Sequence, residues 1–247
     1  MTLAPTTARS LPRRQCGEVW GTQCRRWVEH PTYSHDDHGV YGDPNTAARN
    51  PLCPRSAMEH LAEHPSWTVR LDMARHPDCP KSLLGKLAKD PHPEVRSVVA
   101  AHPGCPPELL ASLALDPSPM VVQQVLLHPA CTIDMVRLAY RQPLHDIRVT
   151  VAKHPLAPFD ILDRLAQSRE KSVLLAVAAN PRTPAPTLAD LGKRADVDIK
   201  GAVAHNPACP APLMLRLATD PDEDVRMAAF ANPQMPEEYR VLAQVAQ

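Results

Sequence analysis

A proline-containing dipeptide returns every 26 residues along most of this chain, and that spacing decides what the chain can fold into. The pair is His-Pro or Asn-Pro, at Asn50-Pro51, His76-Pro77, His102-Pro103, His128-Pro129, His154-Pro155, Asn180-Pro181, Asn206-Pro207 and Asn232-Pro233. An unbroken period means that each unit meets its neighbours in the same way, the signature of a solenoid. The repeats occupy residues 50–247, as seven full units and a partial eighth. Residues 1–49 form a separate, cysteine-containing N-terminal segment.

Let the His or Asn be position 1. Position 2 is then always Pro, and position 5 is Pro in seven of the eight units, with Thr132 the exception. Proline suits the first turn of a helix, where its missing N–H is not needed. Apolar residues follow at positions 8, 9 and 12, as in Leu83, Leu84, Leu87 and Ile161, Leu162, Leu165. That spacing lies on one helix face. Position 13 is usually Ala or Gly, which lets a neighbouring element approach. A break comes near position 16, at Pro65, Pro91, Pro117, Pro143 and Pro221. Positions 20 and 24 then carry pairs such as Val95 and Val99 or Ile147 and Val151, one face of a second helix. The next His-Pro or Asn-Pro ends it, because the residue before Pro is pushed out of the helical region.

Each unit is therefore two short helices of about two turns, marginal alone and stable only through stacking. Turns this tight allow one helix of the pair to be 3-10. Aromatics are 4% of residues, so the core is built from Leu, Val, Ala and Met. The fourth unit carries Leu138-Ala139 one place early, and the sixth has Ala195 where Pro is usual at position 16. Both predict local irregularity within one array.

The unit NPxCPxxLLxxLAxDPxxxVRxxVAxHP resembles the leucine-rich repeat variant family over residues 50–247. The resemblance implies an all-α helical repeat solenoid: a right-handed superhelix of paired short helices, α alternating with 3-10, and no sheet. Some members of that family carry an iron–sulfur cluster in a small cysteine-bearing N-terminal segment, so the resemblance also implies a metal site in residues 1–49. The HEAT repeat shares the Asp90-Pro91 and Val95-Arg96 fragments, but its units of about 40–47 residues are too long.

Seven cysteines, an odd number spread over the chain, fit free thiols or metal ligands better than a disulfide framework. Cys16 and Cys24 lie in the non-repeat segment with Trp20, Trp27, Tyr33 and Tyr41. The other five share position 4: Cys53, Cys79, Cys105, Cys131 and Cys209. Other units place Ala157, Thr183 and Met235 there, which marks a packing site for the last three cysteines. Cys53 and Cys79 are nearest the N-terminal segment, and equivalent positions on adjacent repeats lie roughly 8–10 Å apart. The expected ligands are Cys16, Cys24, Cys53 and Cys79. Four thiolates suit a [4Fe–4S] cluster, which the resemblance favours, or a structural zinc. A different zinc site would use Cys16 and Cys24 with two of His30, His35 and His38.

The chain has 27 basic and 27 acidic residues, which argues against a dedicated polyanion binder. Position 21 nevertheless carries a basic column, Arg70, Arg96, Arg148, Lys200 and Arg226, the candidate nucleic-acid surface. Val122 and Leu174 interrupt it, and acids two residues earlier offset it. The competing reading pairs these cations with carboxylates along the solenoid. The His ladder at position 1 reads as structural, since His and Asn interchange there.

Neither a Gly-rich phosphate loop nor a nucleophile elbow is present. The expectation is a non-enzymatic scaffold that binds a protein partner, carries the cluster and responds to redox state or iron, with no small-molecule substrate indicated. An electron-transfer or redox-enzyme accessory role and nucleic-acid binding are the alternatives. No apolar run approaches the ~20 residues of a membrane span, and no signal-peptide stretch opens the chain, so a cytoplasmic location is expected.

Overall fold

The computed structural model describes residues 44–143 and 145–239, which are helical and contain no strand. The chain divides into two compact units, Met1–Leu109 and Leu110–Gln247. In the first lie α1 (Pro44–Arg49), α2 (Arg55–Leu61), α3 (Trp67–Arg75), α4 (Lys81–Leu87) and α5 (Pro93–Ala101). Helix α6 (Pro107–Leu113) crosses the division. In the second lie α7 (Pro119–Leu127), α8 (Ile133–Tyr140), α9 (His145–Lys153), α10 (Phe159–Leu165) and α11 (Lys171–Ala179). They are followed by α12 (Ala185–Leu191), α13 (Val197–His205), α14 (Ala211–Leu217) and α15 (Glu223–Ala231).

Each repeat thus supplies a short helix at positions 6–12 and a nine-residue helix at positions 18–26. The second helices of the repeats stack on one another: α3 and α5, with the six-residue α1 ahead of them, in the first unit, and α7, α9, α11, α13 and α15 in the second. The apolar pattern drives this. Val95, Val99, Val121, Val125, Val173 and Val177, at positions 20 and 24, are fully buried. So are Leu84, Leu110, Leu162 and Leu188 at position 9, each contributing about 1.5–3 kcal/mol. Helix α1 packs on α3 with Ala48 buried as Ala74 and Ala100 are, so repeat-like geometry reaches back to Pro44, ahead of the first His/Asn-Pro unit. Arg49 on α1 pairs with the buried Asp72 of α3 at 2.9 Å.

The proline at position 5 sits one residue ahead of the helix, not inside its first turn. Pro54, Pro80 and Pro184 are extended, with φ near −70°, −61° and −60°, and ψ of 147°, 143° and 146°. A fixed φ suits that conformation, and no side chain caps the helix there. Thr132, the exception, accepts from the Met135 N–H, and its helix α8 is eight residues long instead of seven. The early Leu138-Ala139 belongs to that longer helix.

Both helices of a repeat are α. Ala62 N–H donates to Met58 O at 2.9 Å and Ala88 N–H to Leu84 O at 2.8 Å. Three-residue steps appear only at the ends, as in Ala57 N–H to Pro54 O and Glu63 N–H to His60 O. The implied alternation of α with 3-10 is therefore reduced to these terminal bonds. A 3-10 helix would eclipse positions 9 and 12 and turn position 8 away, whereas Leu83, Leu84 and Leu87 are all buried.

Position 1 ends the nine-residue helix and joins it to the repeat before. Nδ1 of His76 accepts from Asp78 N–H at 3.1 Å, and Nε2 meets Asn50 O at 2.8 Å. His102 repeats this with Gly104 N–H and His76 O, at 2.9 and 3.0 Å. Such neighbours select the neutral tautomer with hydrogen on Nε2. In the second unit, Asn206 Oδ1 accepts from Ala208 N–H at 2.8 Å, while Nδ2 donates to Ala178 O at 2.6 Å and Asn180 O at 2.8 Å. His and Asn interchange because each turns an acceptor to its own loop and a donor to the preceding repeat.

His154 makes this arrangement sensitive to pH. Its Nε2 donates to Leu126 O at 2.9 Å, and its Nδ1 accepts from Leu156 N–H at 3.0 Å. Burial pushes its pKa below the usual imidazole range, against the opposing effect of the Leu126 bond. The folded chain then binds this proton less readily than the unfolded one. The stability involved is complete above an unfolded pKa of about 6.5 and declines as pH falls from there through the lowered folded value. The melting temperature is expected to fall between pH 7 and pH 5. His154→Asn, the side chain used at 180, 206 and 232, is expected to flatten part of that slope. Equal slopes in thermal melts of the two proteins would exclude His154 as a source.

Candidate interaction surface

Cys16 and Cys24 lie outside the described residues, as do His30, His35 and His38. Cys53 and Cys79 are buried at the turn before α2 and α4. Their Sγ atoms lie 3.9 and 4.0 Å from the carbonyls of Pro54 and Pro80. Cys105 and Cys209 do the same with Pro106 and Pro210, both at 3.9 Å. Burial raises the thiols of Cys79, Cys105 and Cys209 to about 11, which opposes the thiolate a metal ligand must become. Cys79 therefore has the surroundings of the packing thiols. Among the described residues, no group of three His, Cys, Asp or Glu could hold a metal. Cys79→Ala, which copies Ala157, is expected to cost about 1 kcal/mol or less in urea unfolding. A loss of several kcal/mol would mean that the thiol does more than fill space.

The basic column turns inward at several of its members. Arg70 makes a two-pronged bond to Asp90 of the next repeat, Nε to Oδ2 at 2.5 Å and Nη2 to Oδ1 at 2.9 Å. Its Nη1 donates to His64 O and Pro65 O in its own loop. Arg96 and Arg226 donate likewise to Asp90 O with Pro91 O, and to Asp220 O with Pro221 O. Lys200 pairs with Asp220 at 2.8 Å. Arg148 is half-buried on α9, and Val122 and Leu174 in the same column are buried. Arg70, Arg96 and Arg226 each close the loop between the two helices of their repeat, so position 21 is not a continuous outward stripe of cations.

The second unit also contains a cleft of about 380 Å³ between α10 and α12. Several of its polar groups are already bonded. Thr187 Oγ1 donates to Asp163, Arg194 donates to Ala166 O at 2.9 Å, and Asp190 pairs with Lys193 at 2.7 Å.

Some of the side chains that face solvent at the repeat turns are apolar. Positions 3 and 6 flank the buried position 4 at the turn that precedes each short helix. Position 6 is Arg55, Lys81, Pro107, Ala185, Ala211 or Glu237 in most units. In two successive units it is Ile133 and Phe159, and position 3 of the latter is Leu156. All three are exposed, Phe159 by 55%. Leu127, the last residue of α7, is exposed by 66% just before the first of these turns. The Arg182 guanidinium lies 5.0 Å over the Phe159 ring. Sequence reasoning passed over Phe159. The available signal was one of only two phenylalanines standing at a surface position of the repeat.

Residues 68–128 match the leucine-rich repeat variant domain family. The chain is similar in fold to a solved structure described as a leucine-rich repeat variant with a novel repetitive protein structural motif. The identity is 22% and the TM-score 0.64, over 90% of this chain and 87% of that one. No curated protein matches the sequence.

Proposed function

We propose that this chain is a non-catalytic interaction scaffold whose second unit captures a protein partner along the turn edge formed by Ile133, Leu156, Phe159 and Arg182. The observation that carries the reading is the contrast between two sets of residues. Ladder side chains such as His154, Asn180 and Asn206 bond the preceding repeat. The aromatic and aliphatic side chains of the edge face solvent where neighbouring repeats place polar or small residues. Exposed apolar groups on a rigid frame mark contact surfaces, and an aromatic ring with an arginine is the usual composition of a binding hot spot.

Random peptides displayed on phage and selected on the full chain test this. The reading predicts binders that are lost with Phe159→Ala or Leu156→Ala and kept with Met227→Ala, a change at an exposed residue elsewhere in the unit. Binders insensitive to the edge changes, or no binders at all, would contradict it.

The finer part of the reading, an iron–sulfur cluster on Cys16, Cys24, Cys53 and Cys79 with a redox or iron response, rests on the family resemblance. The surroundings of Cys79 lend it no support. Iron and acid-labile sulfide, measured on full-length protein purified without oxygen, test it. About four of each per chain would support a cubane, and their absence would remove it without touching the scaffold.

A further inference from the structure

We propose that the Phe159 edge recognises an acidic segment of the partner, one carboxylate seated on Arg182 beside an apolar side chain laid across Ile133, Leu156 and Phe159. The inference rests on the scaffold reading and names the chemistry of its partner. Arg182 is at position 3 of its repeat, above the ring of Phe159. Among the described residues it forms no ion pair, and its buried Nε has no acceptor. Other cations of the unit are already paired. Arg137 is bound through both Nη atoms to Asp160, Lys171 holds Asp196 and Asp198, and Lys193 holds Asp190. The Arg137 bond also neutralises Asp160, the carboxylate next to Phe159 in sequence. Lys153, exposed three residues before Leu156, has no ion pair among the described residues and adds a second uncommitted positive charge. The edge therefore joins an apolar floor to two cations without ion pairs among the described residues, Arg182 and Lys153, against one exposed carboxylate, Asp134.

A guanidinium held over a ring keeps its edge free, and that edge is the part that accepts a carboxylate through paired N–H donors. The Nη groups are the donors such a ligand reaches, since Nε itself is buried. Equivalent positions on successive repeats are about 8–10 Å apart, so Ile133 and Phe159 are spanned by roughly three extended residues of about 3.3 Å each. A short segment with a Glu or Asp within three or four residues of a Leu or Phe fits that spacing.

The test is fluorescence anisotropy on the full chain with three labelled nonapeptides. One is built of Leu, Phe and Glu, the second has Gln for every Glu, and the third has Lys for every Glu. The acidic peptide is expected to bind at least about tenfold more tightly than its Gln counterpart, the order expected for a charge-assisted paired bond. Added salt should narrow that preference. Arg182→Gln should remove most of the preference while leaving the Gln peptide unchanged, Arg182→Lys should restore part of it, and Phe159→Ala should weaken both peptides. Circular dichroism and melting of each variant separate a lost contact from a lost fold. Equal binding of the acidic and Gln peptides overturns the inference, as does a preference that survives Arg182→Gln undiminished. If the Gln or Lys peptide binds best and Phe159→Ala abolishes it, the acidic partner is wrong and the scaffold reading stands. If none of the three binds, the inference fails, and the phage selection decides the scaffold reading separately.

Discussion

Arg70→Ala is expected to destabilise the first unit by about 3–5 kcal/mol, because it strips a buried carboxylate of its cation. The side chains of Arg70 and Asp90 are only 13% and 4% exposed, so water cannot take over the role of the lost partner. Asp90 would keep its bond from His92 N–H at 2.9 Å, and His64 O and Pro65 O would each lose an Arg70 donor. Adding Asp90→Asn to Arg70→Ala is expected to recover part of the loss, since Asn retains the oxygen that His92 uses while removing the unpaired charge. The sign with pH follows from the carboxyl itself. Burial pushes its pKa up, but the bonds from Arg70 and His92 outweigh that and hold it below the usual carboxylate value. The pair's contribution is present above an unfolded pKa of about 3.9 and is lost as pH falls through the lowered folded value. Urea titrations of the three proteins at pH 7 and pH 3 measure this. A single-variant loss under 1 kcal/mol at pH 7 would show that the pair is solvated.

Asn206→Ala is expected to cost about 3 kcal/mol, concentrated in the second unit. It removes both donors to Ala178 O and Asn180 O and the acceptor for Ala208 N–H, in a residue that is 1% exposed. Asn180 O still receives Thr183 N–H, so the cost falls mainly on the other two groups. Asn206→Asp should be at least as damaging, since a second oxygen would then face two carbonyls. Asn206→His should recover most of the loss, because His76, His102 and His154 make the same kind of bond at this position. Repeat arrays do not always unfold in one step. Amide exchange around 178–208 should therefore accompany the denaturant curve. Ala and His variants of equal stability would show that the ladder is not specific.

The helix pairs were legible because burial follows a period that one chain displays by itself. Val95 with Val99 and Leu83 with Leu84 and Leu87 declare their faces through local spacing. The ladder bonds were not legible, since an acceptor 26 or 28 residues away is brought near only when repeats stack, as with Asn206 and Ala178. Composition suggested the right residue types at position 1 but could not name their partners. The same holds at position 21, where an arginine column looks alike in sequence whether its heads face solvent or, as with Arg70, a neighbour's aspartate. The choice between α and 3-10 in the short helix was set by packing positions 8, 9 and 12 on one face, a tertiary demand. Phe159 was visible as an oddity of composition, but its exposure and its place under Arg182 needed the fold.

Amide hydrogen exchange across the full chain, with and without a peptide selected on it, tests the central claim most directly. The account predicts slowed exchange confined to residues 129–134, 153–160 and 181–186, the turns that carry Ile133, Leu156, Phe159 and Arg182, with the ladder amides at 178–180 and 204–208 unchanged. Protection centred on the nine-residue helices or on the first unit, with the Phe159 turn unaffected, would contradict it and move the binding surface elsewhere.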